Sequence, residues 1–200
     1  MAPWIRKLGI TDRSTGLARA RDSWNLLIAA GSKGLGSSSE YTEGYLVFSG
    51  FLARAQGFHE GAVAAISADN PYAAFTLLRA YAENVAAIIY VADHPAELEK
   101  FWSDLDGIGV WIGKMTKHAR SRSDGFKDIY SQLSRYAHPH ALSVLASSRV
   151  VESREVEWSS APAFKFENEV LVACAWVVEL AQATAQLLVE FARCFGLIAD

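Results

Sequence analysis

Hydrophobic residues recur every three or four positions along most of the chain, which is the spacing of one face of an α-helix. Between these segments stand polar, glycine-rich or proline-containing stretches that end helices. The pattern predicts helices over Thr15–Ala30, Gly44–Ala68, Tyr72–Ala92, Ala96–His118, 124–137 and Glu167–Leu197. The sequence therefore predicts an all-α fold, a helical bundle of five to six helices.

Local signals define several of these boundaries. Asp69, Asn70 and Pro71 supply a stop, a cap and a proline at the first turn of the next helix. That next helix is apolar on nearly every face, which indicates a central, buried position. Asp124 is placed to cap the fifth helix. Because a residue before proline avoids the α region, that helix should end by His138, just ahead of Pro139.

Three stretches lack a helical rhythm. Residues 1–13 form a loose amino-terminal arm in this interpretation, with Trp4 and Ile5 as candidate anchors, and residues 31–43 form a Gly/Ser-rich connector. Residues 147–166 carry a valine-rich and tryptophan-containing pattern typical of a short β-hairpin before the long last helix. No repeat or internal boundary divides the chain, so residues 1–200 are predicted to be one helical domain.

Composition and charge narrow the function classes. The chain is 51% hydrophobic and carries a net charge of −3 at pH 7. Nucleic-acid binding driven by the charge of the whole domain is therefore not expected, there is no signal for DNA, and only a local basic patch stays open. Cys174 and Cys194 fall on one predicted helix about 30 Å apart, too far for a disulfide.

The cysteines and the length of the apolar runs indicate the cellular compartment. Unpaired cysteines favour a reducing environment. The two longest apolar runs, Val85–Ala92 and Val170–Val178, reach only about half of a membrane span. We therefore expect a cytoplasmic protein that does not insert into a membrane.

Polar side chains on two of the predicted helices point to a possible site. Arg79 and Glu83 are four residues apart and share a face, and the same spacing joins Tyr130 to Ser134. His138 follows Ser134 at the same interval. Since ionisable side chains are costly to bury without partners, the two faces are expected to meet in one hydrogen-bonded cluster. Such a cluster is either a structural clamp or a pocket in which histidine performs acid–base chemistry.

Next to this cluster, Arg135 is followed after four intervening residues by His140. This Arg-x4-His spacing resembles the signature of the HEPN superfamily of all-helical nucleotide-binding domains, and the segments Leu77–Glu83 and Tyr130–Pro139 also resemble a family of bacterial helical proteins. The resemblance implies a metal-independent ribonuclease of a toxin or phage-defence type that acts on RNA across a dimer cleft. It also implies that Arg135 stabilises the phosphorane charge and that His140, or alternatively His138, transfers the proton.

Other interpretations stay open. A metal site built from His138 and His140, with Glu83 or the pair His59 and Glu60 in support, lacks any recognised motif, so neither a metal nor another cofactor is predicted. A non-catalytic helical module that binds a partner or small ligand is the alternative function. A homodimer is predicted because the last helix is apolar on more than one face, through Leu171, Trp176, Val177, Leu180, Leu187, Leu188 and Phe191.

Overall fold

The described residues form a bundle of helices and a small antiparallel hairpin. The computed structural model describes residues 2–36, 41–103, 108–138, 144, 148–150 and 155–198. The helices are α1 (Pro3–Lys7), α2 (Arg13–Asp22), α3 (Trp24–Gly36), α4 (Glu43–Ser67), α5 (Pro71–Asp93), α6 (Leu98–Ser103), α7 (Ile108–Arg122), α8 (Phe126–Ala137) and α9 (Glu167–Cys194), with a 3-10 turn at Pro95–Glu97. The predicted all-α bundle is confirmed.

The hairpin lies where the sequence pattern placed it, before the last helix. Strands β1 (Ser148–Val150) and β2 (Val156–Trp158) pair antiparallel, with Ser148 opposite Trp158. Val156 and Trp158 are exposed. Side chains two positions apart on a strand point to the same face, so these two form a small apolar surface patch.

Helices α5 and α9 form the centre of the bundle. α5 packs against α4, α7, α8 and α9, and α9 also packs against α2, α3 and α4. From Tyr81 to Val91, α5 is buried at every position except Glu83, as its apolar pattern predicted. Asn70 caps this helix by accepting a hydrogen bond from the backbone N–H of Ala73 at 3.1 Å.

The prediction of a loose arm over residues 1–13 is wrong. This segment contains α1, and the side chains of Ile5 and Ile10 are fully buried in the core. Two buried isoleucines supply enough apolar contact to hold a short segment against the bundle. A left-handed glycine, Gly9 at φ 75°, makes the turn between them.

The helix predicted over Thr15–Ala30 is divided at Ser23, whose hydroxyl donates to the carbonyl oxygen of Ala20 at 2.7 Å. Its second half then continues into the stretch predicted as a connector. Residues 31–36 are helical, and a Cβ atom on Gly31 would lie 2.6 Å from Cδ2 of Leu52. The glycines therefore permit close packing of α3 on α4. Residues 37–40 of the predicted connector lie outside the described residues, and its end holds Thr42, the N-cap of α4, and Glu43, the first residue of that helix.

The fourth and fifth helices also differ from prediction at their ends. The segment predicted over Ala96–His118 begins as a 3-10 turn and α6, and α7 extends to Arg122. Gly125, in the left-handed conformation at φ 84°, is the N-cap of α8 in place of Asp124. The predicted end is confirmed, because α8 stops at Ala137 and His138 is extended.

The apolar faces of helix α9 are largely buried within a single chain. Of the residues that led to the dimer prediction, six are buried within the protomer: Leu171, Trp176, Val177, Leu180, Leu188 and Phe191. A central helix contacts neighbours on several sides, so the pattern requires no second copy. Both cysteines lie on α9 as free thiols, Cys174 buried and Cys194 exposed.

Two helices, α5 and α9, are long and apolar enough to cross a membrane by length and composition. In α5, 72% of the apolar window is buried inside the protein, and in α9 the share is 61%. Their apolar character is therefore accounted for largely by the core of the bundle.

Candidate functional site

Helices α5 and α8 meet through a polar cluster in an otherwise apolar contact. Arg79 and Glu83 form an ion pair one turn apart on α5, with Nε of the arginine 3.2 Å from Oε1 of the carboxylate. From α8, the hydroxyl of Tyr130 donates to Oε1 of Glu83 at 2.9 Å and accepts from Nη2 of Arg79 at 3.3 Å. Arg79, Glu83 and Tyr130 therefore form a closed ring of hydrogen bonds and charge.

His138 extends this ring towards solvent. Its Nε2 lies 2.6 Å from Nη1 of Arg79. A guanidinium can only donate, so this hydrogen bond requires an unprotonated Nε2 on His138. The histidine side chain is exposed, whereas the side chains of Arg79 and Glu83 are each 22% exposed. The cluster therefore consists of a half-buried ion pair, Arg79 with Glu83, and an exposed histidine that is capable of acid–base chemistry.

Tyr130 is held neutral at the bottom of the cluster. Burial raises the pKa of its hydroxyl, Glu83 raises it further, and the hydrogen bond from Arg79 opposes both. The ring of Phe126 stacks on the Tyr130 ring at 5.7 Å and fixes its orientation. A neutral tyrosine keeps its proton available for donation to Glu83.

A residue that the sequence analysis missed completes the surroundings. The guanidinium carbon of Arg120, on α7, lies 5.5 Å from the centre of the Tyr130 ring, and that of Arg79 is at the same distance. Tyr130 is thus contacted by two arginines through its π system. The contact between Arg120 and Tyr130 depends on how α7 packs, which the sequence does not give. The basic character of α7, which has no acidic residue, was visible in the sequence.

The remaining predicted residues fall around the cluster. Ser134 is half-buried, and its carbonyl oxygen accepts from the backbone N–H of His138 at 3.1 Å. Arg135 is exposed on α8 and makes no hydrogen bond or ion pair with any described residue. His140 lies outside the described residues. Among the described residues, Arg79 contacts His138, whereas the resemblance assigned the charge-stabilising role to Arg135.

Tyr136 separates Arg135 from the site. Its ring stacks on Phe75 at 4.0 Å, so this side chain turns into the core beside α5. Burial raises the pKa of its hydroxyl, with a smaller contribution from Glu169. Tyr136 therefore anchors the last turn of α8 against the core and so helps to fix the position of His138, the C-cap of this helix.

A second polar group lies at the carboxyl end of α5. Tyr90 donates to Oε2 of Glu97 at 2.6 Å, and Nζ of Lys114 lies 2.9 Å from the same oxygen. Beside it, Nε2 of His118 lies 2.8 Å from Oδ2 of Asp93. No group of three or more His, Cys, Asp or Glu side chains within the described residues is arranged to hold a metal ion.

Comparison of the chain with protein-family models, with curated proteins and with solved structures finds no match. The class defined by fold and site is an all-α bundle with a half-buried Arg–Glu–Tyr cluster opening onto an exposed histidine.

Proposed function

We propose that this protein is a metal-independent ribonuclease of the HEPN-like type, cytoplasmic and acting in a toxin or phage-defence setting. The observation that carries the proposal is the 2.6 Å contact between Nη1 of Arg79 and Nε2 of the exposed His138. This contact puts a fixed cation beside a nitrogen of an exposed histidine. Stabilising a phosphorane and accepting a hydroxyl proton require these two groups together.

Substrate binding can convert the cluster from a resting state, in which Arg79 binds His138, to a reactive state in which His138 is a free base. In the free protein, Arg79 occupies the lone pair of His138 Nε2. A phosphate oxygen binds guanidinium more strongly than neutral imidazole does, so substrate binding draws Nη1 away and releases the lone pair. His138 then removes the proton of the ribose 2′-hydroxyl while that oxygen attacks phosphorus. The 5′-oxygen leaves and takes a proton from the imidazolium, giving a 2′,3′-cyclic phosphate.

Glu83 and Tyr130 are positioning residues in this proposal. The ion pair with Glu83 and the hydrogen bond to Tyr130 hold the guanidinium of Arg79 from one side. Nη1 is left directed at His138 and at an incoming phosphate. Holding a cation in place before the reaction reduces the reorganisation needed in the transition state.

The alternative function, a non-catalytic helical module, is favoured by one observation. Tyr130 is 7% exposed and links Arg79 and Glu83 across two helices, as a structural clamp would. In that case the cluster stabilises the contact between α5 and α8 and leaves RNA intact. The two functions differ in the expected effect of removing His138: a ribonuclease would lose RNA cleavage, whereas in a structural clamp only the contact between α5 and α8 would change.

The test is cleavage of a fluorescently labelled single-stranded RNA in the presence of EDTA. We expect the parent protein to release fragments ending in a 2′,3′-cyclic phosphate. His138→Ala should lower the cleavage rate by about 100-fold or more, because general acid–base catalysis contributes on that order. Its thermal stability should stay close to that of the parent, since His138 is exposed.

His94→Ala is the matched control, because His94 also ends a helix but lies at the carboxyl end of α5, about four turns of helix away from Arg79. Its cleavage rate should equal that of the parent. Absence of cleavage by the parent protein, or equal rates for the parent and His138→Ala, would contradict the ribonuclease proposal. Loss of activity in EDTA that zinc or magnesium restores would contradict the metal-independent mechanism.

We further propose a homodimer, on the resemblance alone, since six of the seven α9 residues that led to this prediction are buried within one chain. Family members bring arginine and histidine from two protomers to one cleft. Sedimentation velocity at micromolar concentration should show twice the mass of the chain, and a purely monomeric boundary would contradict this part of the proposal.

A further inference from the structure

Helix α7 is strongly basic in a chain that is acidic overall. Its sequence, IGVWIGKMTKHARSR, holds four lysines and arginines and no acidic residue, while the whole chain carries a net charge of −3. Two of these cations are neutralised by neighbours. Lys114 pairs with Glu97 at 2.9 Å, and Nε of Arg122 lies 3.4 Å from Oδ2 of Asp93.

The other two cations, Lys117 and Arg120, are available to a ligand. Both side chains are exposed, and neither forms an ion pair with a carboxylate in the described part of the chain. Residues three apart lie on neighbouring positions of a helix surface, so both charges project from the same side of α7. Exposed and uncompensated cations of this kind favour a polyanion.

The position of Arg120 connects this surface with the candidate site. Its guanidinium packs over the ring of Tyr130 at 5.5 Å, and the hydroxyl of that tyrosine accepts from Arg79. Arg79 in turn reaches His138. A continuous series of contacts therefore runs from the surface of α7 to the exposed histidine.

The short connection between α7 and α8 extends this series towards His138. The two helices contact each other and are joined by three residues, 123–125, a connection length typical of an antiparallel pair of helices. Moving from Arg120 to Lys117 along α7 thus corresponds to moving from Tyr130 towards the carboxyl end of α8. The step is roughly 4.5 Å of helix rise.

We infer that Lys117 and Arg120 bind consecutive phosphates of a single-stranded RNA and guide its backbone to His138. The inference rests on the proposed ribonuclease function and names the surface by which that site holds its substrate. Cations spread along a helix match a chain of phosphates better than a single mononucleotide, since each neutralises a separate charge. Lys117 and Arg120 are positioning residues, because neither takes part in proton transfer.

The experiment measures binding separately from cleavage. A fluorescein-labelled single-stranded RNA is titrated with the His138→Ala protein at several salt concentrations, and fluorescence anisotropy gives the affinity. Adding Lys117→Gln and Arg120→Gln should weaken binding about tenfold at low salt. The slope of log affinity against log salt should fall by about 1.4, since each contact with single-stranded nucleic acid contributes about 0.7.

The matched control replaces two other exposed cations, Arg6 and Lys7, with glutamine in the same His138→Ala background. Both lie on α1, which packs against α9. This variant has the same net charge as the test variant, so its slope should equal that of the His138→Ala protein. An equal loss of affinity in both double variants, or an unchanged slope in the α7 variant, would overturn the inference.

The outcome separates this inference from the proposed function. A parent protein that leaves RNA intact, with binding that depends on Lys117 and Arg120, would refute cleavage and retain the binding surface. Cleavage by the parent with binding independent of both cations would retain the ribonuclease and refute the surface. Circular dichroism and thermal melting of each variant should match the parent, because all four substituted cations are exposed.

Discussion

At the residue scale, His59 shows how burial fixes a protonation state. Its side chain is 2% exposed, and Nε2 lies 2.9 Å from the hydroxyl oxygen of Ser23. The hydroxyl proton of Ser23 is donated to the carbonyl oxygen of Ala20, so Nε2 of His59 is the donor in the pair. Burial lowers the pKa of His59 below its ordinary value, which keeps the folded protein neutral at this position.

This arrangement predicts a loss of stability in mild acid. The unfolded chain takes up a proton near pH 6.5 that the folded chain resists, so the free energy of unfolding falls as pH drops through that value. The loss levels off below the folded pKa and amounts to about 1.4 kcal/mol for each unit between the two pKa values. Urea unfolding from neutral to mildly acidic pH should show this dependence.

The His59→Gln variant is the comparison. Glutamine can donate to Ser23 but does not titrate, so the pH dependence should be shallower than in the parent. All other ionisable groups are the same in the two proteins, so their contributions cancel in the difference. Parallel stability curves for the parent and the variant would contradict the assignment of a neutral, buried His59.

At the element scale, the close approach of α3 and α4 depends on glycine. A Cβ atom on Gly34 would overlap the ring of Phe48, whereas one on Gly50, in the interior of α4, meets nothing within 4 Å. Gly34→Ala should therefore destabilise the protein by about 1–3 kcal/mol through overpacking. Gly50→Ala should stabilise it by about 0.5–1 kcal/mol through helix propensity.

Thermal or urea unfolding of the two variants measures this difference directly. The same substitution is made in a helix each time, so its intrinsic effect on helix formation is shared. If Gly34→Ala also raised stability, α3 and α4 would not be in the contact described.

Element boundaries were predictable where a local signal decides them. Asn70 and Pro71 place the start of α5 within one residue of the prediction, and the residue before Pro139 ends α8 as expected. The stretch Gly31–Gly36 was not predictable, because glycine favours a flexible connector unless distant side chains pack on it. Those side chains, Leu52 and Phe48, belong to α4.

The same distinction holds for the candidate site. Helical spacing predicted that Arg79, Glu83, Tyr130, Ser134 and His138 would meet. Hydrogen bonds join the side chains of four of them. Among the described residues, Ser134 takes part only through its backbone carbonyl, which accepts from His138. Arg120 was not predicted, since its contact with Tyr130 depends on the packing of α7 against α8.

At the scale of the whole molecule, α9 determines whether the chain is stable alone. Phe191 is fully buried, and its ring lies 6.2 Å from Phe48, 5.9 Å from Phe51 and 4.4 Å from Phe195. Phe191→Ala should lower the free energy of unfolding by about 3–5 kcal/mol. Because these contacts lie inside one chain, the loss should be the same at low and high protein concentration.

Melting temperatures measured across a series of protein concentrations check this prediction. Val156→Ala is the control, since this apolar side chain is 63% exposed and should have little effect. A loss at Phe191 that shrinks as protein concentration rises would mean that the residue acts in an interface between copies.

The two thiols of α9 differ in a way that is useful in the laboratory. Cys194 is exposed near the end of the chain, whereas Cys174 is buried and its pKa is raised to about 11. A maleimide dye reacts with an accessible thiol, so Cys194 can be labelled selectively without introducing a new cysteine. Energy transfer between donor- and acceptor-labelled copies would then follow the association of two chains directly, and loss of the signal would follow their separation.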